Sequence, residues 1–380
     1  MSVTKTMKKL GGLICLAMLG GPTVAQAGFD SLNMTRGVTP VSEEIYSLHM
    51  LVLWLVTIVG IGVFAVIIYS LINHRKSKGA VAAQFHESTT VEVIWTLIPF
   101  IILVSIAVPA TKAFLNLEDA SNPDISIKAT GWQWKWEYTY LDNGVHFFSN
   151  IDKKSSDTSQ RNSGLNPADV DHYLRNVDNP VVVPVNEKIR ILTTSNDVIH
   201  SWWVPAFGVK RDAIPGYINE SWFKAEKEGT YRGQCAELCG QGHAYMPIVV
   251  KVVSKEKYAA WVSKQKSEAQ AAAAGADKIW SKADLMKRGK EIFMSHCAAC
   301  HQANGQGIPG VFPALAGSKV TTTGPIADHV HVVVHGRPGT AMQAFGTQLN
   351  SVDIAAVVTY ERNAWGNNTG DVVQPSQITK

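Results

Sequence analysis

Residues 233 to 246 read GQCAELCGQGHAYM, a short stretch that carries two thiols, Cys235 and Cys239, an imidazole, His243, and a thioether, Met246. A second imidazole stands upstream in Asp197-Val198-Ile199-His200. Counting cysteine and histidine alone gives the Cys2His2 donor set of structural zinc. Two features point elsewhere: zinc has no use for the Met246 thioether, and the histidines at 200 and 243 are not paired within one short motif. Soft sulfur donors with imidazole suit copper, and a mononuclear blue-copper site needs a single cysteine. The second cysteine suggests two copper ions sharing both thiolates.

Around this stretch the chain has the texture of short strands, at 125–129, 180–185, 189–194, 222–225 and 248–253, with turn residues between them. Such runs without helical periodicity suggest a sandwich or barrel. In 131–140 the aromatics Trp132, Trp134, Trp136, Tyr138 and Tyr140 alternate with Gln133, Lys135, Glu137 and Thr139. The alternation predicts one strand with an aromatic face, used for core or interface packing. The segment 152–169, with Lys153, Lys154, Ser155, Ser156 and Asn162, reads as a long exposed loop.

Residues 264–276, KQKSEAQAAAAGA, are Ala-rich and of low complexity, and read as a partly helical tether. Helical pattern returns from Lys282, with Leu285, Gly289 and Ile292 leading into Cys297-Ala298-Ala299-Cys300-His301. This is the CxxCH arrangement, in which two thiols form thioethers to haem vinyl groups and the adjacent imidazole becomes the proximal iron ligand. A zinc or redox CxxC followed by a chance histidine is the alternative. Met342, in the Gly-bearing loop 339–345, is the candidate for the other face of the haem, since Met286 and Met294 fall on the helix that leads into the motif. His329, His331 and His335 are rival ligands, in a run that also fits a surface helix.

The N-terminus has the three parts of a secretory signal: Lys5, Lys8 and Lys9, an apolar stretch at 10–19, and Ala25-Gln26-Ala27 as a cleavage site. Mature protein is expected from Gly28, with Cys15 discarded. Residues 50–72 and 93–111 are free of charge, and about 20 apolar residues cross a bilayer. Arg75, Lys76 and Lys78 follow the first span and place the connecting loop in the cytoplasm, so both flanks face outward. The whole chain of 380 residues predicts more than one domain. Its formal charge of +4 nearly vanishes once the three signal lysines are set aside, which excludes nucleic acid as a partner.

From about residue 45 to 253 the sequence closely resembles subunit II of haem-copper cytochrome c oxidases: ESTTVEVIWTLIP at 87–99, GWQWKWEY at 131–138, DVIHSWWVPAFGVKRDAIPG at 197–216 and GQCAELCGQGHAYMPIVV at 233–250. The resemblance implies a two-helix transmembrane hairpin and an all-β, cupredoxin-like Greek-key barrel holding the dinuclear copper centre CuA. Its ligands would be His200, Cys235, Cys239, His243, Met246 and the carbonyl of Glu237. It further implies electron input at Trp134, proton uptake at Glu92, and a magnesium ion shared with subunit I through Glu237. Read from the residues alone, Glu92 is an acid in the first turn of a helix, favoured there by the macrodipole.

The appended all-α cytochrome c domain resembles the caa3 type. The layout expected is a signal at 1–27, a membrane anchor at 28–115, the copper domain at 116–255, a linker at 256–281, the cytochrome c domain at 282–366 and a tail at 367–380. Such a chain would take electrons from a cytochrome c through its own haem c to CuA, and pass them to haem in subunit I, where oxygen is reduced and protons are translocated. Subunit I, and with it subunit III, would be partners in a bacterial inner membrane, with both redox domains on the periplasmic face. The electron-entry subunit of a nitric-oxide-reducing relative, a nitrous-oxide reductase, and a non-enzymatic redox carrier or copper-binding assembly factor are the other readings of the same motifs.

Overall fold

The computed structural model describes residues 33–160 and 162–379. The signal segment, Cys15 included, lies outside them. The chain divides into two units, one ending at Arg36 and one starting at Gly37, and every element below belongs to the second.

Helix α1, Pro40–Asn73, starts where Thr39 and Ser42 cap one another and Pro40 sits at the first helical position. Helix α2, Thr89–Glu118, contains Pro99 and Pro109. Both are long and apolar enough to cross a membrane, with mean hydropathy of 2.9 and 2.4 over their most apolar windows. They extend beyond the uncharged spans 50–72 and 93–111, because helical hydrogen bonding continues into the polar flanks; the Thr39–Ser42 cap fixes the start of α1, whereas no side chain caps the start of α2. Their outward ends are fastened to the β domain. The Thr39 hydroxyl donates to the Phe207 carbonyl at 2.9 Å, the Trp222 indole donates to the Asn116 carbonyl at 3.0 Å, and Arg211 forms a bidentate pair with Glu118.

Ten strands follow: β1 Ile125–Trp132, β2 Lys135–Tyr140, β3 His146–Ser149, β4 Val181–Pro184, β5 Ile189–Ser195, β6 His200–Val204, β7 Val209–Ala213, β8 Asn219–Phe223, β9 Gly229–Cys235 and β10 Pro247–Val253. They form two sheets, ordered β3-β2-β1-β5-β8 and β4-β10-β9-β6-β7. β1 runs parallel to β5 and β4 parallel to β10, while the remaining pairs are antiparallel. The alternation of buried and half-buried residues along β5 shows one face turned to the core between the sheets. That core is aromatic, with Trp136, Trp202, Tyr138, Tyr140, Phe207 and Phe223 fully buried.

Two expectations are corrected here. The aromatic stretch 131–140 is not one strand: β1 ends at Trp132, the chain turns at Gln133-Trp134, and β2 begins at Lys135, which pairs back with Trp132. Trp136, Tyr138 and Tyr140 share the core face, whereas Trp134 belongs to the turn. The segment 152–169 is not simply an exposed loop. It contains helix α3, Lys153–Ser159, capped by Asp152, and Ser155, Ser156 and Thr158 are buried.

Helix α4, Lys255–Ala274, leaves β10, and its first half lays Tyr258, Trp261 and Val262 against the barrel core. Only its second half is free to act as a tether. The C-terminal domain comprises α5 Lys282–Ile292, a π-helical turn Phe293–Cys297, the short α6 Ala298–His301, α7 Ile326–His335 and α8 Ser351–Asn363. α5 and α8 cross at Gly289, where a Cβ would lie 2.1 Å from the Ala356 carbonyl oxygen. Residues 367–379, expected to be a tail, pack into this domain. Val373 is fully buried and its amide donates to Thr359, Asp371 pairs with Arg362 at 2.6 Å, and the Gln374 amide donates to the Trp280 carbonyl. The reason lies in α8, whose residues 352–362 are all buried and so need a cover on every side.

Candidate metal and haem centres

The first cluster forms where β6 begins, β9 ends and the loop 236–246 returns to β10. His200 opens β6, Cys235 closes β9, His243 stands in a 3-10 turn, His243–Tyr245, and Met246 precedes β10. The Cys235 and Cys239 sulfurs are 3.9 Å apart and both thiols are free. His200 Nδ1 lies 3.9 Å from Cys235 Sγ, while His243 Nδ1 and Met246 Sδ each lie 3.5 Å from Cys239 Sγ. The Glu237 carbonyl oxygen lies 3.3 Å from Cys235 Sγ. All six atoms expected from the sequence are therefore brought to one place, with His200, both cysteines and Met246 buried.

Neighbouring residues hold that set rigid. His200 Nε2 is hydrogen-bonded to Asp197 Oδ1 at 2.8 Å, which fixes the ring so that Nδ1 faces the sulfurs. Gly131 leaves room for the ring: a Cβ there would stand 2.5 Å from its Cδ2. Trp136 packs edge-on to the same imidazole. The Trp134 indole lies over Gly242, where a Cβ would come within 2.2 Å of it, and donates to the Cys239 carbonyl at 3.0 Å. The Gln133 side-chain amide donates to that same oxygen at 2.9 Å.

The electrostatics place a single negative charge on the cysteine pair, at Cys235. The hydrogen bond from Cys239, with help from His200, holds the Cys235 thiol well below the usual thiol range, against the opposing effect of burial. Cys239 is pushed up in turn, since Cys235 already carries the charge of the pair. Burial works against a charge on His200, yet its bonds to Asp197 and Cys235 prevail and raise its pKa. Two cysteine sulfurs, two imidazole nitrogens, a thioether and a carbonyl make a soft set that fits copper.

The second centre is built on α6. His301 is buried and its Nδ1 donates to the Pro313 carbonyl at 2.9 Å, which leaves Nε2 as the lone-pair nitrogen. Cys297 and Cys300 are free and partly buried on the same turn. Met342 packs, partly buried, against the core of this domain, as do Met286 and Met294. Of the rivals, His329 is not on the surface: it is buried on α7 and its Nε2 is bonded to Glu361 at 2.7 Å. His331 and His335 are exposed, their rings 4.5 Å apart. The CxxCH thiols with a tautomer-fixed histidine fit a covalently attached haem. Glu92 lies apart from both centres, exposed in the first turn of α2.

Sequence reasoning did not find Asp197, Gly131, Gly242, Gln133 or Lys135. Asp197 precedes His200 by one helical-like turn of sequence in DVIH and could have been suspected as its partner. The two glycines and Lys135 carry no local signal, because the rings they face, His200, Trp134 and Phe345, come from distant parts of the chain.

The family described as cytochrome c oxidase subunit II, periplasmic domain, matches residues 125–253, and the transmembrane domain of the same subunit matches 27–125. Residues 284–360 match the family described as cytochrome c oxidase, cbb3-type, subunit III. The chain is 37% identical over 255 residues to cytochrome c oxidase subunit 2 of Cereibacter sphaeroides, covering 65% of this chain and 82% of that one. It is 37% identical over 235 residues to the Arabidopsis thaliana subunit, covering 62% of this chain and 89% of that one. The crystal structure of the periplasmic domain of subunit II from Bradyrhizobium japonicum is 46% identical, covers 39% of this chain and 98% of its own, and has a TM-score of 0.35. The chain is an oxidoreductase component that belongs to the cytochrome c oxidase subunit II family, extended at its C-terminal end by a cytochrome c domain.

Proposed function

We propose that this chain is the electron-input subunit of a terminal respiratory oxidase, passing electrons from a cytochrome c through its own haem c to CuA and on to haem in subunit I. The observation that carries this reading is the turn Gln133-Trp134, whose two side chains both donate to the carbonyl of Cys239. His200, Cys235, Glu237, Cys239, His243 and Met246 would hold the copper; Cys297, Cys300, His301 and Met342 would hold the haem. When bound, both groups supply one-electron exchange with little rearrangement of their ligands. The protein's part is to fix those ligands: Asp197 orients His200, Pro313 orients His301, and the aromatic core excludes water.

Glu237 presents an exposed carboxylate beside its ligating carbonyl, which supports the magnesium ion shared with subunit I. Oxygen reduction and proton translocation would belong to subunit I, with subunit III as a further partner and the redox domains on the periplasmic face of a bacterial inner membrane. Glu92 would take up protons on the opposite side. Glu92→Gln is expected to slow proton-coupled turnover with metal content unchanged; turnover and pumping equal to wild type would remove the role.

The function is tested by metal analysis of the full chain purified free of the other subunits, where copper and iron should stand at about two to one. Zinc, or an equal ratio, would return the first centre to a structural or mononuclear site.

A further inference from the structure

The cytochrome c domain does more than hang from its tether, for one edge of it rests on the copper domain. Next to the candidate haem ligand Met342, the Gln343 side-chain amide donates to the backbone carbonyl of Gln133. Gln133 in turn reaches the Cys239 carbonyl, so a single residue touches both centres' surroundings. Two residues on, Lys135 is only 4% exposed, and its Nζ stands 5.2 Å from the Phe148 ring of the copper domain and 4.7 Å from the Phe345 ring of the cytochrome domain.

A desolvated ammonium costs free energy unless charges or aromatic faces replace its water. Here one of the two faces comes from the other domain. Helix α3 adds a third point of support: it lies against the turn Phe293–Cys297 that leads into the CxxCH motif. The same helix has Ser155, Ser156 and Thr158 buried, and Ser155 is also held by the Leu174 amide. The interface is polar at its rim and aromatic at one point, as expected for domains that dock within a chain.

We propose that Gln133, Lys135 and α3 form a seat that keeps the fused cytochrome domain over the Trp134 turn and denies that turn to any separate cytochrome. A separate cytochrome then delivers only to the fused domain. Each delivery oxidises the external cytochrome by one electron and leaves this chain reduced by one. The proposal rests on the haem and copper assignments above, and metal analysis tests those independently.

The test uses the assembled oxidase carrying wild-type chain, Lys135→Glu or Gln343→Ala. Hydrogen exchange at 153–159 and 293–297 is expected to be slow in the wild type and faster by roughly tenfold in Lys135→Glu, with copper and haem content unchanged. Mixed with a reduced soluble mono-haem cytochrome c, the wild type should reduce its copper at a rate independent of cytochrome concentration once the fused domain is reduced. The variant should gain a component that rises with concentration. Should Lys135→Glu fail to assemble, Gln343→Ala, which lies outside the barrel, carries the same two readouts. Equal exchange in wild type and variant, or concentration-dependent copper reduction in the wild type, would overturn the seat. Loss of copper or haem from the wild type would instead overturn the functional reading.

Discussion

Trp134 approaches the candidate copper ligands through the Nε1 that donates to the Cys239 carbonyl, and it rests on the bare backbone of Gly242. Trp134→Ala removes that contact without touching any donor atom. Electron input should slow on the order of tenfold to a hundredfold while the copper absorption stays as it was, read by rapid mixing and optical spectroscopy on one sample. Unchanged input would reduce the indole to packing. The donors themselves were legible in the sequence because their chemistry is written in the residue types at 200, 235, 239, 243 and 246. What holds them was not: Gly131 is needed only because the His200 ring from another strand fills the space where its Cβ would be. Lys135, which alternation assigns to a polar face, is buried by a ring far along the chain.

At the scale of elements, the crossing of α5 and α8 depends on Gly289, which lets the helices meet backbone to backbone at Ala356. Gly289→Ala should destabilise the cytochrome domain by about 3 kcal/mol, since neither backbone can give way without shifting Tyr360 as well. Thermal unfolding followed at the haem band would measure it, and a loss below the measurement error would mean that the helices part easily. The strand at 222–225 is displaced to Asn219–Phe223, β2 is merged with the end of β1 in the single strand expected at 131–140, and β3, β6, β7 and β9 carry no expectation. The hairpin β1–β2 shows why: its turn, Gln133-Trp134, has no glycine, proline or asparagine to mark it, and the alternation runs on through it. The two apolar helices were legible in kind but not in extent, because hydropathy marks the uncharged part and helical hydrogen bonding continues into the polar flanks.

At the scale of the whole molecule, the order of anchor, barrel and cytochrome domain was legible, whereas the fit between the parts was not. The last residues belong to the cytochrome domain rather than trailing from it. Ending the chain at 366 would expose the site of Val373 and strip Asp371 from Arg362, whose side chain is only 5% exposed. Leaving such a guanidinium without its carboxylate, held only by the carbonyls of Val320, Thr322 and Gly324, should lower the stability of the domain by about 3 kcal/mol, measurable as a fall in its unfolding temperature. A truncated chain as stable as the full one would show the segment to be idle. Helix α4 has a consequence of another kind. Because Tyr258 and Trp261 root its first half on the barrel, its second half projects as a boom and not a leash. A cytochrome domain lifted from its place would swing along a narrow arc, already facing the right way. Its return would then forfeit little rotational freedom, and the waiting time between electrons would be set by the visitor's arrival rather than by the search for alignment.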